Sequence, residues 1–554
     1  MTTSPATGSS PPDFAGVFRR DRRARAAYAE GAGIYRIVPE AVAVPASVAD
    51  LGALVEWAAA GGRHLIPRGA GSAVSGSNVG RGIVVDGTRL APRILAVDAG
   101  RRRATTSPGV TWRELDDAAR PHGLRLPPDP SSSAFATLGG LAATNAAGAR
   151  SVRYGPMRRW IEALDMVWAD GAVGRLERAG PPPDGADVIP HPAGSTALPV
   201  HRFLEHVGPA IRRAAGPIGD RFPHTRKNTA GYALDEWLRS GDVLDLVIGS
   251  EGTLGIITRI EWRLDEIPAH VAGMRILLAD LDALAEVVTA LSTLAPSAVE
   301  LLDRSFLEIL PAGARPAGDA VVLVEFEGRD AAAVRGRVAD ATRAVGDLAL
   351  DVATSLTRQE TAALWRLRHA ASPILAALPE ARRSLQVIED GCVPLERLTE
   401  YIRFVRAAAA AHDVPVVMFG HAGDGHLHVN VLPDVTRPRW QTAVERLLVE
   451  VTDEVLRLGG TPAGEHGDGR LRAGLLERVY GPGIVDLFRR TKEAFDPEYL
   501  FNPGVILPRG WSPLENLKIG ADSVALPADI APALRDIERS AAYHRPRLDL
   551  ADGN

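Results

Sequence analysis

From Tyr35 onward, short apolar runs bounded by glycine and proline alternate with longer helical segments. IVPEAVAVPAS leads into a helix at SVADLGALVEWAAAGG, then come the strand-like HLIPRG, IVVDGT, ILAVDA and ATTSPGV. This texture predicts an α+β unit, a mixed sheet carrying helices. The Pro/Gly-rich AGPPPDGADVIPHPAGS (179–195) reads as a surface loop by composition. After IITRIEWRL (256–264), the order MRILLAD, LDALAEVVTALSTLAP, AVVLVEFEG, DAAAVRGRVADATRAVG predicts β-α-β-α, a second compact α+β unit with helices on one sheet face. Near residue 415 the apolar runs VPVVMFG and HLHVNVL flank the polar AGDG and predict a hairpin.

Length and composition narrow this picture. A chain of 554 residues exceeds one core and implies two or three domains. With 46% hydrophobic and 24% charged residues and a net charge of −5, it reads as a soluble globular protein with no general attraction to nucleic acid. The basic RRDRRAR (19–25) reads as solvated helix charge, and the absence of an apolar run behind Arg19-Arg20 argues against export. No stretch of about 18 apolar residues is present to span a membrane. The only cysteine, Cys392, excludes an internal disulfide and a cysteine-held iron–sulfur cluster within these residues. Cytoplasm is the default compartment. The opening MTTSPATGSSPP reads as disordered, and the polar tail beyond 508 is of uncertain order.

Three glycine-punctuated segments carry the first candidate chemistry. PRGAGSAVSG (67–76) offers successive backbone N–H groups that can converge on an anion, without a GK[ST] or a GxGxxG-to-helix context. PPDPSSSAFATLGGLAATNAAGARSVRYG (127–155) is rich in small residues that let backbone approach something flat or extended, and LVIGSEGTLGIIT (246–258) is the third. Together they favour one large cofactor. The second candidate is FGHAGDGHLHVNVL (419–432), whose histidines suit a metal site, an acid/base site or a polar hairpin turn. Two histidines do not close a metal site, and GGTPAGEHGDGR (459–470) is the obvious source of a third ligand.

These motifs resemble the flavin-binding domain of the vanillyl-alcohol-oxidase (PCMH-type) superfamily, specifically its D-lactate and glycolate dehydrogenase branch, over roughly residues 44–508. The resemblance implies a two-subdomain FAD-binding domain (31–265), a cap or substrate domain (266–415) and a C-terminal part returning to the FAD domain (416–508). Extensions at 1–30 and 509–554 flank them; the first is expected to be disordered or helical. FAD would be held by Pro67, Arg68, Gly69, Ala70, Gly71, Ser72, Ser75 and Gly76, by Pro130, Ser131, Ser132, Thr137, Gly139, Gly140, Ala143, Thr144, Asn145 and Gly148, and by Glu251, Gly255, Ile256 and Asn502. Some relatives attach FAD covalently through a histidine or cysteine near the first loop; Ser72 and its neighbours offer none, so FAD is expected to be non-covalent.

The same resemblance assigns a divalent metal, zinc or manganese, to His421, His428 and Glu465, and makes His466 the proton acceptor. His426, where relatives carry asparagine, would line the pocket or compete as a ligand. In ALWRLRHAASP, Arg368 would clamp a substrate carboxylate with help from Ser372, with Arg366 as the alternative. Arg226, Lys227 and Asn228 would sit near the flavin. Ile388, Glu389 and Asp390 supply no lysine for a second carboxylate, which favours D-lactate or glycolate over a dicarboxylate. The implied reaction is FAD-dependent oxidation of a D-2-hydroxy acid, with electrons leaving to a quinone, a cytochrome or a separate iron–sulfur subunit. Peripheral association with the inner membrane and an oligomeric state stay open. The competing readings are an alkyl-glycerone-phosphate-synthase-like enzyme, which an apolar lipid tunnel would favour, and a flavin-binding subunit, which a broken metal set would favour.

Overall fold

The structure, a computed structural model, describes residues 11, 14–179, 197–510 and 512–553. The expected loop at 179–195 and the opening dozen residues fall almost entirely outside them. The described chain is α+β throughout.

Two sheets build the first unit. A four-stranded sheet pairs Val17–Arg19, Ala41–Val44, Ile83–Asp86 and Leu65–Arg68, the last three running parallel. The helix Val48–Ala60 is capped where Ser47 accepts a hydrogen bond from the Asp50 N–H, and it buries Leu51, Leu54, Val55 and Ala58. A five-stranded antiparallel sheet follows, in the order Leu95–Asp98, Arg103–Thr106, Ile256–Arg263, Ile161–Val167, Val173–Glu177. The glycine-punctuated segments lie around these sheets.

The second unit is a seven-stranded antiparallel sheet with Leu284–Ser292, Ala331–Val345 and Leu398–Ala411 among its helices. His270–Leu278 and Ala320–Gly328 form its longest paired run, and Ala298–Asp303 is its central strand. The expected hairpin forms from Val416–Gly420 and His426–Val431, and it joins this sheet through Leu301 opposite Gly420. The sheet therefore crosses the boundary expected at 415/416. Return to the first unit comes later, where Phe501 pairs with Leu65.

Among the described residues, the tail packs against the first unit. Ile530–Ser540 is an amphipathic helix burying Ile530, Leu534 and Ile537 against Ala24, Ala27, Ile66 and Ala70. At about 1.5–3 kcal/mol for each fully buried aliphatic side chain, this contact fixes the helix firmly. The basic cluster is not merely solvated: Arg23 pairs with Asp529 at 2.7 Å and Arg19 with Asp552 at 2.9 Å, tying the two ends of the chain together.

Candidate active site

The hairpin tip needs glycine. Gly425 sits at φ +70, and a Cβ there would lie 1.9 Å from the Val393 carbonyl oxygen. Beyond it the strand alternation puts His426, His428 and Asn430 on one face. Asp390 brings the second motif to that face by accepting from the N–H groups of Glu465 (3.2 Å) and His466 (2.9 Å).

Three acceptors converge there. His421 Nε2 lies 3.2 Å from His428 Nε2 and 3.1 Å from Glu465 Oε1, and His428 Nε2 lies 3.5 Å from that oxygen. The other ring nitrogens fix the tautomers. His421 Nδ1 donates to Glu300 Oε1 at 2.5 Å and His428 Nδ1 to the Glu389 carbonyl at 3.1 Å, which leaves both Nε2 lone pairs facing the carboxylate. Such a cluster needs a proton or a cation at its centre. Ligands about 2.1 Å from one tetrahedral ion lie about 3.4 Å from each other, so the spacing suits a metal.

Lys227 holds the far side of Glu465. Its Nζ is 2.9 Å from Glu465 Oε2 and 3.4 Å from Asp424 Oδ2, and Gly148 N–H also donates to Oε2 at 2.8 Å. Burial opposes ionisation of Glu465, yet Lys227 and His421 hold its carboxyl well below the usual range. Lys227 thus belongs to this cluster, while Asn228 bonds Tyr480 and Thr461 and Arg226 lines a separate polar pocket. His426 is fully buried, with Nε2 2.9 Å from Asp390 and Nδ1 3.9 Å from Glu465. Burial and Lys227 push it down to about 3. It does not line the cavity.

His466 has one free edge. Nδ1 is 2.5 Å from Glu389 Oε2, whose other oxygen takes Arg472 Nη2 at 2.5 Å, so Nδ1 is committed to Glu389 and Nε2 is the uncommitted ring nitrogen. Burial pulls His466 down, but Glu389 and Asp390 outweigh it and push it up to about 10. A divalent cation beside Glu465 would act the other way and favour the neutral ring.

Arg368 comes from the helix Arg358–His369. Its Nε donates to Glu300 Oε2 at 2.7 Å, and the guanidinium carbon lies 4.6 Å from the Phe419 ring centre. Glu300 therefore orients His421 with one oxygen and Arg368 with the other. Burial opposes its charge, but His421 and Arg368 hold it down at about 2. Arg366 is exposed and away from the cavity. Ser372 lies outside the residues whose side chains are described. Replacing Arg368 by Lys is expected to raise KM about 100-fold, because a two-pronged partner becomes a point charge, with FAD content unchanged. Steady-state kinetics beside the flavin spectrum checks this.

One edge of this cluster opens onto a cavity of about 430 Å3. Its walls are Pro67, Arg68, Gly69, Ala70, Gly71 and Ser72, then Pro130, Ser131, Ser132, Thr137, Gly139, Gly140, Ala143 and Thr144, with Glu251, Gly255 and Ile256. Arg368, His428, Glu465 and His466 line it too. A Cβ on Gly69 would meet Thr137 Oγ1 at 2.1 Å, so a glycine keeps two expected cofactor loops together. Five expected residues lie off the cavity wall. Ser75 Oγ donates to the His466 carbonyl (3.0 Å), and Gly76 packs on Tyr35. Asn145 accepts from Arg158 N–H, Gly148 serves Glu465, and Asn502 Nδ2 donates to the Ser77 and Glu251 carbonyls. These brace the site from behind.

The sequence profile described as "FAD binding domain" matches residues 39–177, and that described as "FAD linked oxidases, C-terminal domain" matches 267–506. The chain belongs to the FAD-linked oxidases. Among its relatives in the family are the glycolate oxidase subunit GlcD of Bacillus subtilis, 28% identical over 85% of this chain and 89% of that one, and a D-lactate dehydrogenase of Archaeoglobus fulgidus, 29% identical over 84% and 91%. A D-2-hydroxyglutarate dehydrogenase of Escherichia coli is 27% identical over 86% of this chain and 49% of its own greater length. An alkyldihydroxyacetonephosphate synthase structure shares the fold, with TM-score 0.59, 18% identity and coverage of 90% and 84%. This FAD-linked oxidase has no helix, among the described residues, long and apolar enough to cross a membrane.

Proposed function

We propose that the protein oxidises a D-2-hydroxy acid to the 2-oxo acid, with non-covalent FAD as hydride acceptor and a divalent metal, zinc or manganese, assisting. The observation that carries this reading is the convergence of His421 Nε2, His428 Nε2 and Glu465 Oε1 within 3.5 Å of one another, beside His466 and Arg368, in a cavity walled by the flavin-domain glycine loops.

Each residue then has a task. Arg368 binds the substrate carboxylate, and its fixed Nε limits how that carboxylate can turn. His466 Nε2 takes the hydroxyl proton while Glu389 keeps the proton on Nδ1 and stabilises the charged ring. A metal held by His421, His428 and Glu465 would lower the hydroxyl pKa and fix its direction. FAD along the loop wall supplies the two-electron acceptor. Lys227 and Gly148 anchor Glu465 Oε2, so Oε1 alone is offered to the metal.

Electrons would leave to a quinone, a cytochrome or a separate iron–sulfur subunit, because a lone buried Cys392, bonded to the Asp424 carbonyl, cannot hold a cluster. In an assay with an artificial dye acceptor, D-2-hydroxy acids are expected to be oxidised and their L-enantiomers and NAD left unchanged. Equal rates for both enantiomers would remove the proposed geometry.

A further inference from the structure

A second cavity, of about 650 Å3, lies on the far side of Glu465. Lys227 lines it while its Nζ holds Glu465 Oε2 at 2.9 Å, and Glu465 itself lines the first cavity. Ala147 lines both, so at that point the partition is one residue thick. A partner seated at this second mouth would therefore be one layer of chain away from the space walled by the flavin-domain loops.

The mouth is basic, although the whole chain carries a net charge of −5. Arg158, Arg159, Arg178, Arg226, Arg239 and Arg263 line it against four carboxylates, Glu162, Asp235, Glu236 and Asp245. Burial pulls Arg158 down from its ordinary value, but a guanidinium stays protonated near neutral pH. Three of the carboxylates are already engaged. Asp245 takes Arg178 at 3.0 Å and lies 3.7 Å from Arg158, and Glu236 is in close contact with Arg239. Glu162 lies 4.0 Å from Arg263 and is shared with Arg103, outside the mouth, at 3.4 Å; Asp242, also outside, lies 4.0 Å from Arg178. Arg159 and Arg226 make no ion pair among the described residues. Lys227 adds no free charge, being spent on Glu465 and Asp424.

The exposed arginines are spread, not focused. Arg159 comes from the short turn Met157–Trp160, Arg226 from a loop, Arg239 from the helix Leu234–Ser240 and Arg263 from the end of the strand Ile256–Arg263. Charges set around a rim suit a broad anionic surface, whereas a small anion needs donors that converge on one point. No large apolar side chain is exposed among the lining residues, so the rim has nothing to insert into a bilayer, which argues against direct collection by a membrane quinone. We propose that this mouth docks the acidic face of a separate protein that carries electrons away from the flavin. The inference rests on the oxidation proposed above and names the acceptor as an acidic one-electron carrier. Two such molecules each take one electron per turnover, and the flavin N5 proton passes to water. A small anion on Arg158, 8% exposed and with an Nε that lacks a hydrogen-bond partner among the described residues, is the competing occupant.

The test follows reoxidation of the bound flavin, first reduced anaerobically with one equivalent of dithionite, by oxidised plastocyanin as an acidic carrier and by mitochondrial cytochrome c as a basic one. The plastocyanin rate is expected to fall about 10-fold between low and high salt, and about 10-fold at low salt in Arg159→Glu, because steering of an anionic partner depends on these charges. Arg159→Lys is expected to keep most of the native rate, and Arg159→Glu to leave the cytochrome c rate unchanged or raise it. Plastocyanin rates indifferent to both salt and Arg159→Glu would overturn the docking mouth. Saturable inhibition by inorganic phosphate at constant ionic strength, with no response to Arg159→Glu, would assign the cavity to a small anion and equally overturn it. Dithionite replaces the hydroxy acid as reductant, so the two readings fail separately: a flavin that no D-2-hydroxy acid bleaches would sink the oxidation reading and leave the docking result to stand by itself.

Discussion

Replacing His466 by Ala is expected to lower kcat by roughly 1,000-fold, within the range general-base removal usually costs. The loss should fall on turnover, with FAD absorbance and melting temperature near those of the native chain. The reason is local. The backbone at 466 is pinned independently of the ring, by Asp390 on its N–H and Ser75 on its carbonyl, so the loop keeps its place when the imidazole goes. The ring contributes Nε2 toward the cavity and a Glu389-held Nδ1 behind it. A variant that turns over normally would remove His466 from the chemistry and place the proton acceptor elsewhere.

Replacing Glu465 by Gln is expected to be as severe, for a different reason. The carboxylate meets His421, His428 and Lys227 at once, so the amide presents a neutral oxygen to the metal and an N–H or a weaker acceptor to a buried ammonium group. Loss of one anionic ligand from a three-ligand set removes most metal affinity, and with it the several kcal/mol a metal supplies to the charged transition state. We expect metal content to fall below one tenth of stoichiometric and kcat to fall roughly 1,000-fold, with elemental analysis and kinetics on the same sample as the check. Lys227, left with Asp424 as its one carboxylate partner, should also lower the melting temperature, which separates this variant from His466→Ala. Full metal content in the glutamine variant would contradict the ligand assignment.

The motifs that were legible share a cause. Glycine loops, the HxGDGxxH hairpin and GEHG place chemistry on the backbone of contiguous residues, and local sequence records that directly. Glu300 was not legible in this way. It lies in AVELLD, where a single carboxylate interrupts an apolar strand, and its partners His421 and Arg368 are distant in sequence. A fully buried glutamate in such a strand is itself a signal, because ionised side chains are rarely buried unpaired. The sequence around Lys227 points to a charge near the flavin, and only the fold brings it to Glu465. The overall polarity of the tail masks the spacing of Ile530, Leu534 and Ile537 on one helical face. The charges of Arg19 and Arg23 could not announce partners more than five hundred residues away.

The most direct measurement is the anaerobic visible spectrum of the purified protein on addition of a D-2-hydroxy acid and of its L-enantiomer, before and after chelation and after adding back zinc or manganese. The account predicts that the D-acid bleaches the flavin band, that the L-acid does not, that chelation slows bleaching by at least about 100-fold, and that one of the two metals restores it. A flavin band that the D-acid bleaches at the same rate after complete metal removal would contradict the metal-assisted mechanism at its centre.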